Sequence, residues 1–330
     1  MFTALLQFAD SGEIELPVAR EQTVVDAAMA ADIPLRFDCN VGACGACVAH
    51  LLVGETAVLD GASPLTGDEL LLGLRATCRT RLLSDARFEL PYALSSPATA
   101  PERAQARVVE VGRIAASVHR LVLELERPAA FSFESGQYVR LRPPGFKIGR
   151  AFSIAGALTD LPRLEFLIRH VPGGEMTSWL TERAEAGVRI GLFGPLGSFG
   201  LHSMARRHLF VAGGTGLAPV LSMLRGLPRD SSALLCFGCN AHEEVFYADE
   251  LHALASAHPD MEIRIGVAKG ERGSHLSGNA VSLVRRDDFA QDATVYLCGP
   301  PAMVTAARLR LQDWGVAHHR IRTERYQPTS

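Results

Sequence analysis

The order of apolar and polar positions divides the chain into three stretches. Apolar and polar residues alternate over residues 2–8 and 12–17, which predicts a hairpin, and residues 24–29 have the spacing of a short helix. The short alternating segments that follow predict a β-barrel, with strands at residues 107–111, 120–124, 138–141 and 163–167. From about Arg206, apolar strands alternate with glycine turns and helices, which predicts a parallel α/β sheet with strands at 208–212, 233–237, 262–267 and 294–298.

Three domains suit a chain of 330 residues, because this length exceeds what one hydrophobic core usually organises. The predicted domains span residues 1–93, 105–203 and 204–330, with a linker rich in Pro, Ala and Ser at 94–104. A hydrophobic content of 48% and a net charge of −3 are typical of globular proteins and give no indication of a nucleic-acid partner. The first residues lack a signal-peptide pattern and no apolar run reaches about 18 residues, so we expect a cytoplasmic protein without a membrane partner.

Charge is concentrated in the N-terminal third. Residues 1–92 hold 13 acidic side chains against six arginines and no lysine, a net charge of −7. An acidic module suits a small electron carrier that docks on basic surfaces, because complementary charge steers the encounter of two proteins. An acidic surface that only maintains solubility is the alternative.

The strongest chemical signal is the C-x4-C-x2-C spacing of Cys39, Cys44 and Cys47, followed by Cys78 after thirty intervening residues. This is the spacing of a plant-type 2Fe-2S site, in which four thiolates hold two irons. The residues between the first three cysteines include glycines and alanines, small enough for backbone N–H groups to approach the sulfurs. A structural zinc site is the alternative, but such sites normally use two C-x2-C pairs.

With this motif, the N-terminal stretch resembles a plant-type ferredoxin, and the rest of the chain resembles the ferredoxin-NADP reductase superfamily. In this domain order, the chain is similar to the reductase components of bacterial ring-hydroxylating dioxygenases of the benzoate, anthranilate and naphthalene type. The resemblance implies a multidomain α+β, β-barrel and α/β fold: a ferredoxin-like β-grasp domain, a six-stranded flavin-binding β-barrel and a parallel-sheet nucleotide-binding domain. It also implies a 2Fe-2S cluster, FAD and NADH as cofactors, and an oxygenase component or an intermediate ferredoxin as partner.

Residues Arg150, Ala151, Phe152 and Ser153 resemble the flavin-binding pattern R-x-Y-S of this superfamily. An arginine suits a diphosphate, an aromatic ring can pack on the flavin, and a hydroxyl can reach the nitrogens of the flavin ring. Phe152 stands where the family has tyrosine, so the packing is kept and the phenolic hydrogen bond is lost. We predict FAD contacts from all four residues and a catalytic position for Ser153.

A second segment resembles the other flavin-binding stretch of the family and has two glycines before a predicted helix at residues 176–185. The positive end of a helix dipole favours a phosphate there. A glycine-rich turn with Thr177 as the helix N-cap is the alternative. The predicted FAD-binding residues are Ile168, His170, Gly174, Met176 and Thr177. Residues 194–199 resemble the turn that closes the barrel, and we interpret them as structural.

The turn formed by Gly213, Gly214, Thr215 and Gly216 follows an apolar strand and opens an apolar helix. This context is typical of a nucleotide site, although the spacing is not that of the G-x-G-x-x-G dehydrogenase motif. In the family this turn approaches the pyrophosphate of the pyridine nucleotide. Pro219 suits the first helical turn, because its missing N–H is no loss there.

Further candidates lie near the C terminus. The resemblance places Cys298 near the hydride-transfer path and implies nucleotide contacts from Gly299, Pro300 and Met303, whereas a lone cysteine is otherwise usually a small buried hydrophobe. Cys236 and Cys239 form a single C-x2-C pair, and we do not interpret this pair as a metal site.

Two more features concern the choice of nucleotide and the face of the flavin. Asn240 follows the second strand of the parallel sheet, with Glu243 and Glu244 nearby and no arginine, which favours NADH over NADPH. Glu324 and Tyr326 resemble an acid and an aromatic residue that lie near the flavin in the family. We predict a catalytic role for Glu324 and a covering role for Tyr326, with a frayed C-terminal tail as the alternative.

The sequence therefore predicts an NADH-dependent reductase that passes electrons through FAD and a 2Fe-2S cluster to the oxygenase of an aromatic-ring dioxygenase system. The cofactors carry the chemistry, so the protein needs no strongly activated acid or base. The reductase of a soluble di-iron monooxygenase and a non-enzymatic redox carrier or sensor are the alternatives. We expect a monomer.

Overall fold

The computed structural model describes residues 1–42, 44–61, 63, 65–94, 101–201, 205–288, 293–317 and 320–325, with only the backbone of Arg325. Most of the predicted linker, and Tyr326, lie outside these residues. The chain divides into two compact units. The N-terminal unit lies within residues 1–98 and 196–198, and the C-terminal unit lies within residues 99–195 and 199–330. No helix in the described part of the chain is long and apolar enough to cross a membrane.

The N-terminal unit is built on a mixed sheet. Its described elements are β1 (Phe2–Gln7), β2 (Glu13–Val18), α1 (Val24–Ala30), β3 (Val48–Val53), β4 (Thr56–Val58), α2 (Gly67–Leu71), β5 (Leu74–Ala76), β6 (Thr80–Leu82) and β7 (Ala86–Glu89). Five strands form the sheet in the order β2-β1-β7-β3-β5, with β1 antiparallel to β2 and parallel to β7. Thr23 caps helix α1 by accepting the N–H of Asp26 at 3.1 Å. The predicted hairpin and first helix are therefore present.

The first part of the C-terminal unit is an antiparallel barrel. Its elements are β8 (Glu102–Ala115), β9 (Val118–Leu125), β10 (Tyr138–Arg142), β11 (Arg150–Ser153), β12 (Arg163–Arg169), α3 (Glu175–Glu182) and β13 (Arg189–Leu196). The strand order is β11-β10-β13-β8-β9-β12, and a bridge between Ile154 and Phe166 joins the two edges. Leucine and phenylalanine side chains from facing strands fill the interior, together with Trp179 of α3.

Three boundaries in this part differ from the prediction. Strand β8 begins at Glu102, because Glu102 pairs with Gly194, so residues 102–104 of the predicted linker lie in a strand. Strand β13 runs to Leu196, so the predicted closing turn at 194–199 begins inside a strand. Helix α3 ends at Glu182 instead of residue 185, because the chain turns back to let Gly187 donate to the carbonyl of Val108.

The second part of the C-terminal unit is an all-parallel sheet with the order β17-β16-β15-β14-β18-β19. Its elements are β14 (Arg207–Gly213), α4 (Leu217–Arg225), β15 (Ser232–Cys239), α5 (Ala248–Ala257), β16 (Met261–Val267), β17 (Leu276–Ser277), β18 (Thr294–Gly299), α6 (Pro301–Asp313) and β19 (Ile321–Arg325). The four predicted strands are confirmed and extend by one or two residues at one or both ends. Strand order reverses at β14, so the crevice beyond its carboxyl end is the position where such sheets bind ligands.

Candidate functional site

The loop between α1 and β3 carries three of the four predicted cluster cysteines. Asn40, Gly42 and Gly45 have left-handed backbones, with φ of 51°, 80° and 77°. Glycine and asparagine tolerate this conformation, which curls the loop tightly. As a result, the Cys44 N–H donates to the Cys39 Sγ atom at 3.4 Å, as a loop that cradles thiolate sulfurs would require.

The fourth cysteine comes from a separate loop and meets Cys47. The Sγ atoms of Cys47 and Cys78 are 3.3 Å apart. Thr77 fixes this contact, because its N–H and its hydroxyl both donate to the Cys47 carbonyl, at 3.1 and 2.8 Å. Both cysteines are buried in a small apolar cluster with Val25 and Ala76.

The four thiols are arranged as two hydrogen-bonded pairs, Cys39 with Cys44 and Cys47 with Cys78. The hydrogen bond to Cys39, followed by burial, raises the pKa of Cys44, and the hydrogen bond to Cys78, followed by burial, raises that of Cys47. Metal ligation requires thiolates, so cluster assembly must release these protons. Two pairs of thiols with a backbone donor aimed at one sulfur fit a two-iron cluster better than a zinc ion, which needs four ligands around one point.

The first flavin motif forms β11, at the edge of the barrel. Its register with β10 pairs Phe152 with Val139 and Ser153 with Tyr138. Ser153 is buried, and Phe152 is half-buried against the barrel core. The Arg150 guanidinium lies 3.3 Å from the carboxylate of Glu175, the first residue of α3. An ion pair therefore connects the two predicted flavin motifs.

The second flavin segment places its residues in two different environments. Ile168 and Met176 point into the barrel core, so only their backbone could contact a flavin. Gly174 is the N-cap of α3, and Thr177 is not, which excludes the alternative of Thr177 as the cap. The Thr177 hydroxyl instead accepts the Val171 N–H at 2.9 Å and shapes the turn before the helix.

His170, in the same segment, is paired with a histidine that sequence reasoning missed. Its Nδ1 atom lies 3.1 Å from Nε2 of the buried His119 on β9, and the two rings stack. Burial, then the charges of His170 and Arg113, lower the pKa of His119. No local motif marks His119, because only the pairing of β9 with β12 brings the two histidines together.

The glycine turn after β14 touches the turn after β18. A Cβ atom on Gly216 would lie 2.3 Å from the carbonyl oxygen of Cys298, and one on Gly213 would lie 2.6 Å from the Met303 sulfur and 3.2 Å from Pro300. Thr215 stands between these glycines in the same turn. The two predicted nucleotide motifs therefore meet at the carboxyl ends of neighbouring strands, and the contact is possible only without side chains.

Strand β19 brings Glu324 to the same crevice, in register with Cys298. Its Oε2 atom is buried and has no hydrogen-bond partner among the described residues. Burial raises the pKa of this carboxyl to about 8. A neutral carboxylic acid is therefore available at neutral pH, and residues 321–325 form a strand instead of a frayed tail.

Asn240, directly after β15, is held between an acid and a neighbouring loop. Its N–H donates to Oε2 of Glu244 at 3.1 Å, and its carbonyl accepts the N–H of Lys269 at 2.9 Å. Sequence reasoning missed Lys269, because it lies 29 residues further along the chain and reaches Asn240 only through the parallel pairing of β15 and β16.

Three family models match the chain in the order of its three larger sheets. A 2Fe-2S iron-sulfur cluster binding domain matches residues 8–83, an oxidoreductase FAD-binding domain matches 105–200, and an oxidoreductase NAD-binding domain matches 210–309. Together with the sites described above, these domains define a flavin oxidoreductase of the ferredoxin reductase type that uses NAD(P)H.

Individual relatives are similar to this protein over most of the chain. Component C of methane monooxygenase from Methylosinus trichosporium is 36% identical over 77% of each chain. The toluate 1,2-dioxygenase electron transfer component from Pseudomonas putida is 32% identical over 89% of each chain. The crystal structure of Amycolatopsis cytochrome P450 reductase GcoB is 28% identical, with a TM-score of 0.72 and full coverage of both chains. The chain belongs to this family of oxygenase reductase components, which join a 2Fe-2S domain to an FAD-binding and an NAD-binding domain.

Family membership confirms the predicted enzyme class, the three cofactor-binding domains and a role in electron transfer within a multicomponent oxygenase system. It contradicts the non-enzymatic alternative. The assignment of individual residues to each cofactor, and the domain boundaries, stay predictions.

Proposed function

We propose that this chain oxidises NADH and passes the electrons to the oxygenase component of an aromatic-ring dioxygenase system. The observation that carries the proposal is the backbone contact between Gly216 and Cys298 at the switch point of the parallel sheet. A dinucleotide binds at such a crevice. When bound, FAD supplies the hydride acceptor and the 2Fe-2S cluster supplies the one-electron carrier.

The protein's own residues would bind and orient the cofactors. Arg150 would bind the FAD diphosphate, with Glu175 fixing the direction of its guanidinium. The N–H groups of the Gly213–Gly216 turn would face the nucleotide pyrophosphate, since helix α4 starts there. Glu324, neutral because it is buried, could donate a hydrogen bond near the reacting rings. Cys39, Cys44, Cys47 and Cys78 would hold the cluster.

Asn240 and Glu244 support NADH as the preferred donor. In sheets of this topology the end of the second strand faces the adenosine ribose, where an acid suits a 2′-hydroxyl and repels a 2′-phosphate. Glu244 is held at this position by the Asn240 N–H. Lys269 lies on the other side of Asn240 and would reduce the preference without reversing it, because its side chain is exposed and screened by solvent.

The dioxygenase partner is supported by relatives that match along the whole chain. The anthranilate 1,2-dioxygenase electron transfer component of Acinetobacter baylyi is 31% identical over 97% of this chain and 96% of its own. A monooxygenase partner is the second candidate, favoured by the higher identity of the methane monooxygenase component and by the propane 2-monooxygenase reductase component of Rhodococcus jostii, which is 29% identical over 94% of this chain.

Two measurements test the proposal on the full chain loaded with FAD and cluster. Anaerobic mixing with NADH should bleach the flavin, with a kcat/KM for NADH at least about tenfold above that for NADPH, a difference of about 1.4 kcal/mol. Purified oxygenase components of a toluate-type dioxygenase should then turn over with this reductase, and those of a soluble di-iron monooxygenase should not. Faster bleaching by NADPH would contradict the donor assignment, and turnover only with the monooxygenase would replace the first partner by the second.

A further inference from the structure

A buried carboxylate joins the barrel to the parallel sheet within the C-terminal unit. Glu165 on β12 is only 8% exposed and accepts hydrogen bonds from Arg120 Nε at 2.5 Å and Arg225 Nη1 at 2.6 Å. The Tyr247 hydroxyl also donates to Glu165. Arg120 belongs to the barrel, whereas Arg225 ends helix α4 and Tyr247 precedes helix α5. We call Glu165, Arg225 and Tyr247 the clasp.

A second set of hydrogen bonds connects the clasp to the flavin motif. Arg225 Nη1 donates to the Ala155 carbonyl at 2.9 Å, and the buried Ser222 hydroxyl of α4 donates to the Gly156 carbonyl at 2.7 Å. The Ala155 N–H donates to the Glu165 carbonyl at 2.8 Å. Ala155 lies two residues after Ser153, so the last turn of α4 is fastened to the end of the predicted flavin strand.

Electrostatics make this contact specific. Burial by itself would raise the pKa of Glu165, but the hydrogen bond from Arg120 and the charge of Arg225 outweigh it and lower this pKa. A buried ion pair adds little stability over apolar packing. Its best-supported benefit is to favour one arrangement of the packed elements over the others. Tyr247 has a left-handed backbone with φ of 59°, a strained conformation for a non-glycine residue that persists only where the surroundings determine it.

Helix α4 links the clasp to the nucleotide turn. Its first residue, Leu217, follows the Gly213–Gly216 turn, and its last residue is Arg225. Nine helical residues span about 13 Å. A helix held at one end by the barrel and carrying the nucleotide turn at the other sets the position of that turn relative to the flavin strand.

We propose that Glu165, Arg225 and Tyr247 are positioning residues that set the approach of the nicotinamide to the flavin. The inference rests on the proposed function, since it concerns the hydride step between those two groups. Hydride transfer depends steeply on geometry, and a misplacement of about 1 Å can reduce a rate by about 100-fold.

Anaerobic stopped-flow measurement of flavin reduction in the FAD- and cluster-loaded full chain tests the clasp. In Glu165→Gln, the limiting rate at saturating NADH should fall roughly 10- to 100-fold, while FAD content and the Kd for NADH change by less than about twofold. Tyr247→Phe, which leaves the charges in place, should show a smaller decrease and remains testable if Glu165→Gln does not fold. Asp288→Asn is the matched control, because it breaks the 2.5 Å pair with the buried Arg264 inside the parallel-sheet part. It should lower thermal stability and leave the limiting rate unchanged.

Hydrogen–deuterium exchange provides a readout that does not depend on NADH. In Arg225→Met, residues 154–157 and 217–225 should lose protection together, whereas Asp288→Asn should leave both protected. A wild-type limiting rate in Glu165→Gln and Tyr247→Phe, or a rate loss matched by loss of FAD or NADH binding, would overturn the proposal. Unchanged protection in Arg225→Met would overturn it as well. If neither NADH nor NADPH reduces the wild-type flavin, the proposed function fails, and the exchange result alone then decides whether the clasp holds α4 to the barrel.

Discussion

The cluster loop and the nucleotide crevice are assembled in opposite ways. In the loop, Cys39, Cys44 and Cys47 lie within nine residues, and left-handed positions between them turn the Cys44 N–H toward the Cys39 sulfur. In the crevice, Gly216 and Cys298 are more than 80 residues apart and meet only because β14 and β18 are neighbours. The loop depends on which side chains are present, and the crevice depends on where side chains are missing. The first kind of site can be recognised from spacing, and the second needs the topology.

Removing a cluster ligand should have the largest effect. Cys44→Ala leaves three thiols, so we expect loss of the cluster and reduction of cytochrome c, a one-electron acceptor, only at background level, while NADH still reduces the flavin. Iron content and the absorbance of the cluster measure this directly. Cys236→Ala is the control, because Cys236 is buried in the parallel sheet. Full iron content in Cys44→Ala, or iron loss in Cys236→Ala, would contradict the assignment.

Adding a side chain where the two turns of the crevice touch should have the next largest effect. In Gly216→Ala the new Cβ would lie 2.3 Å from the Cys298 carbonyl oxygen, so the two turns must separate. We expect a loss of roughly 1–3 kcal/mol in stability and a rate of flavin reduction lowered by about 10- to 100-fold, without loss of iron. Gly112→Ala is the control, since a Cβ there meets open space. A Gly216→Ala protein with wild-type kinetics would show that the contact does not matter for the nucleotide.

Sequence patterns predicted four of the six described strands of the parallel sheet to within two residues, because buried apolar runs bounded by glycine turns have few other interpretations. They predicted which segments would contact the flavin but not the direction of each side chain, and the side chains of Ile168 and Met176 lie in the barrel core. Groups that come together only through strand pairing had no local signal. His119, Lys269 and the clasp are of this kind, and so is the short strand β19 that brings Glu324 beside Cys298.

A substitution of Glu324 should have a smaller effect, confined to the crevice. With its pKa raised by burial to about 8, the acid is neutral at pH 7, so Glu324→Gln should reduce flavin at pH 7 within about threefold of wild type. Above pH 8 the wild-type rate should change as the carboxyl ionises, and the Gln variant should not follow. The folded state holds the proton more tightly than the unfolded state, so the group's stabilising contribution is full below the ordinary glutamate pKa and declines as pH rises through 8. Identical pH–rate profiles for the two proteins would remove Glu324 from the hydride step.

The smallest expected effect is a difference in pH dependence between the flavin signal and the cluster signal. Burial, reinforced by the charges of His170 and Arg113, lowers the pKa of His119, so the folded state binds fewer protons than the unfolded state. Its stabilising contribution is therefore full above about pH 6.5 and declines as pH falls below that value. We expect the thermal midpoint of the flavin signal to fall by a few degrees between pH 7.5 and 5.5, with a flatter profile in His119→Gln and an unchanged one in His252→Gln, an exposed control. The cluster signal should follow the same pH profile in all three proteins, because the cluster loop contains neither histidine. If His119→Gln shifts the cluster signal as well, the cluster site and the flavin-binding barrel are not independent. The contrast between a site set by local spacing and sites set by strand pairing would then no longer hold for this protein.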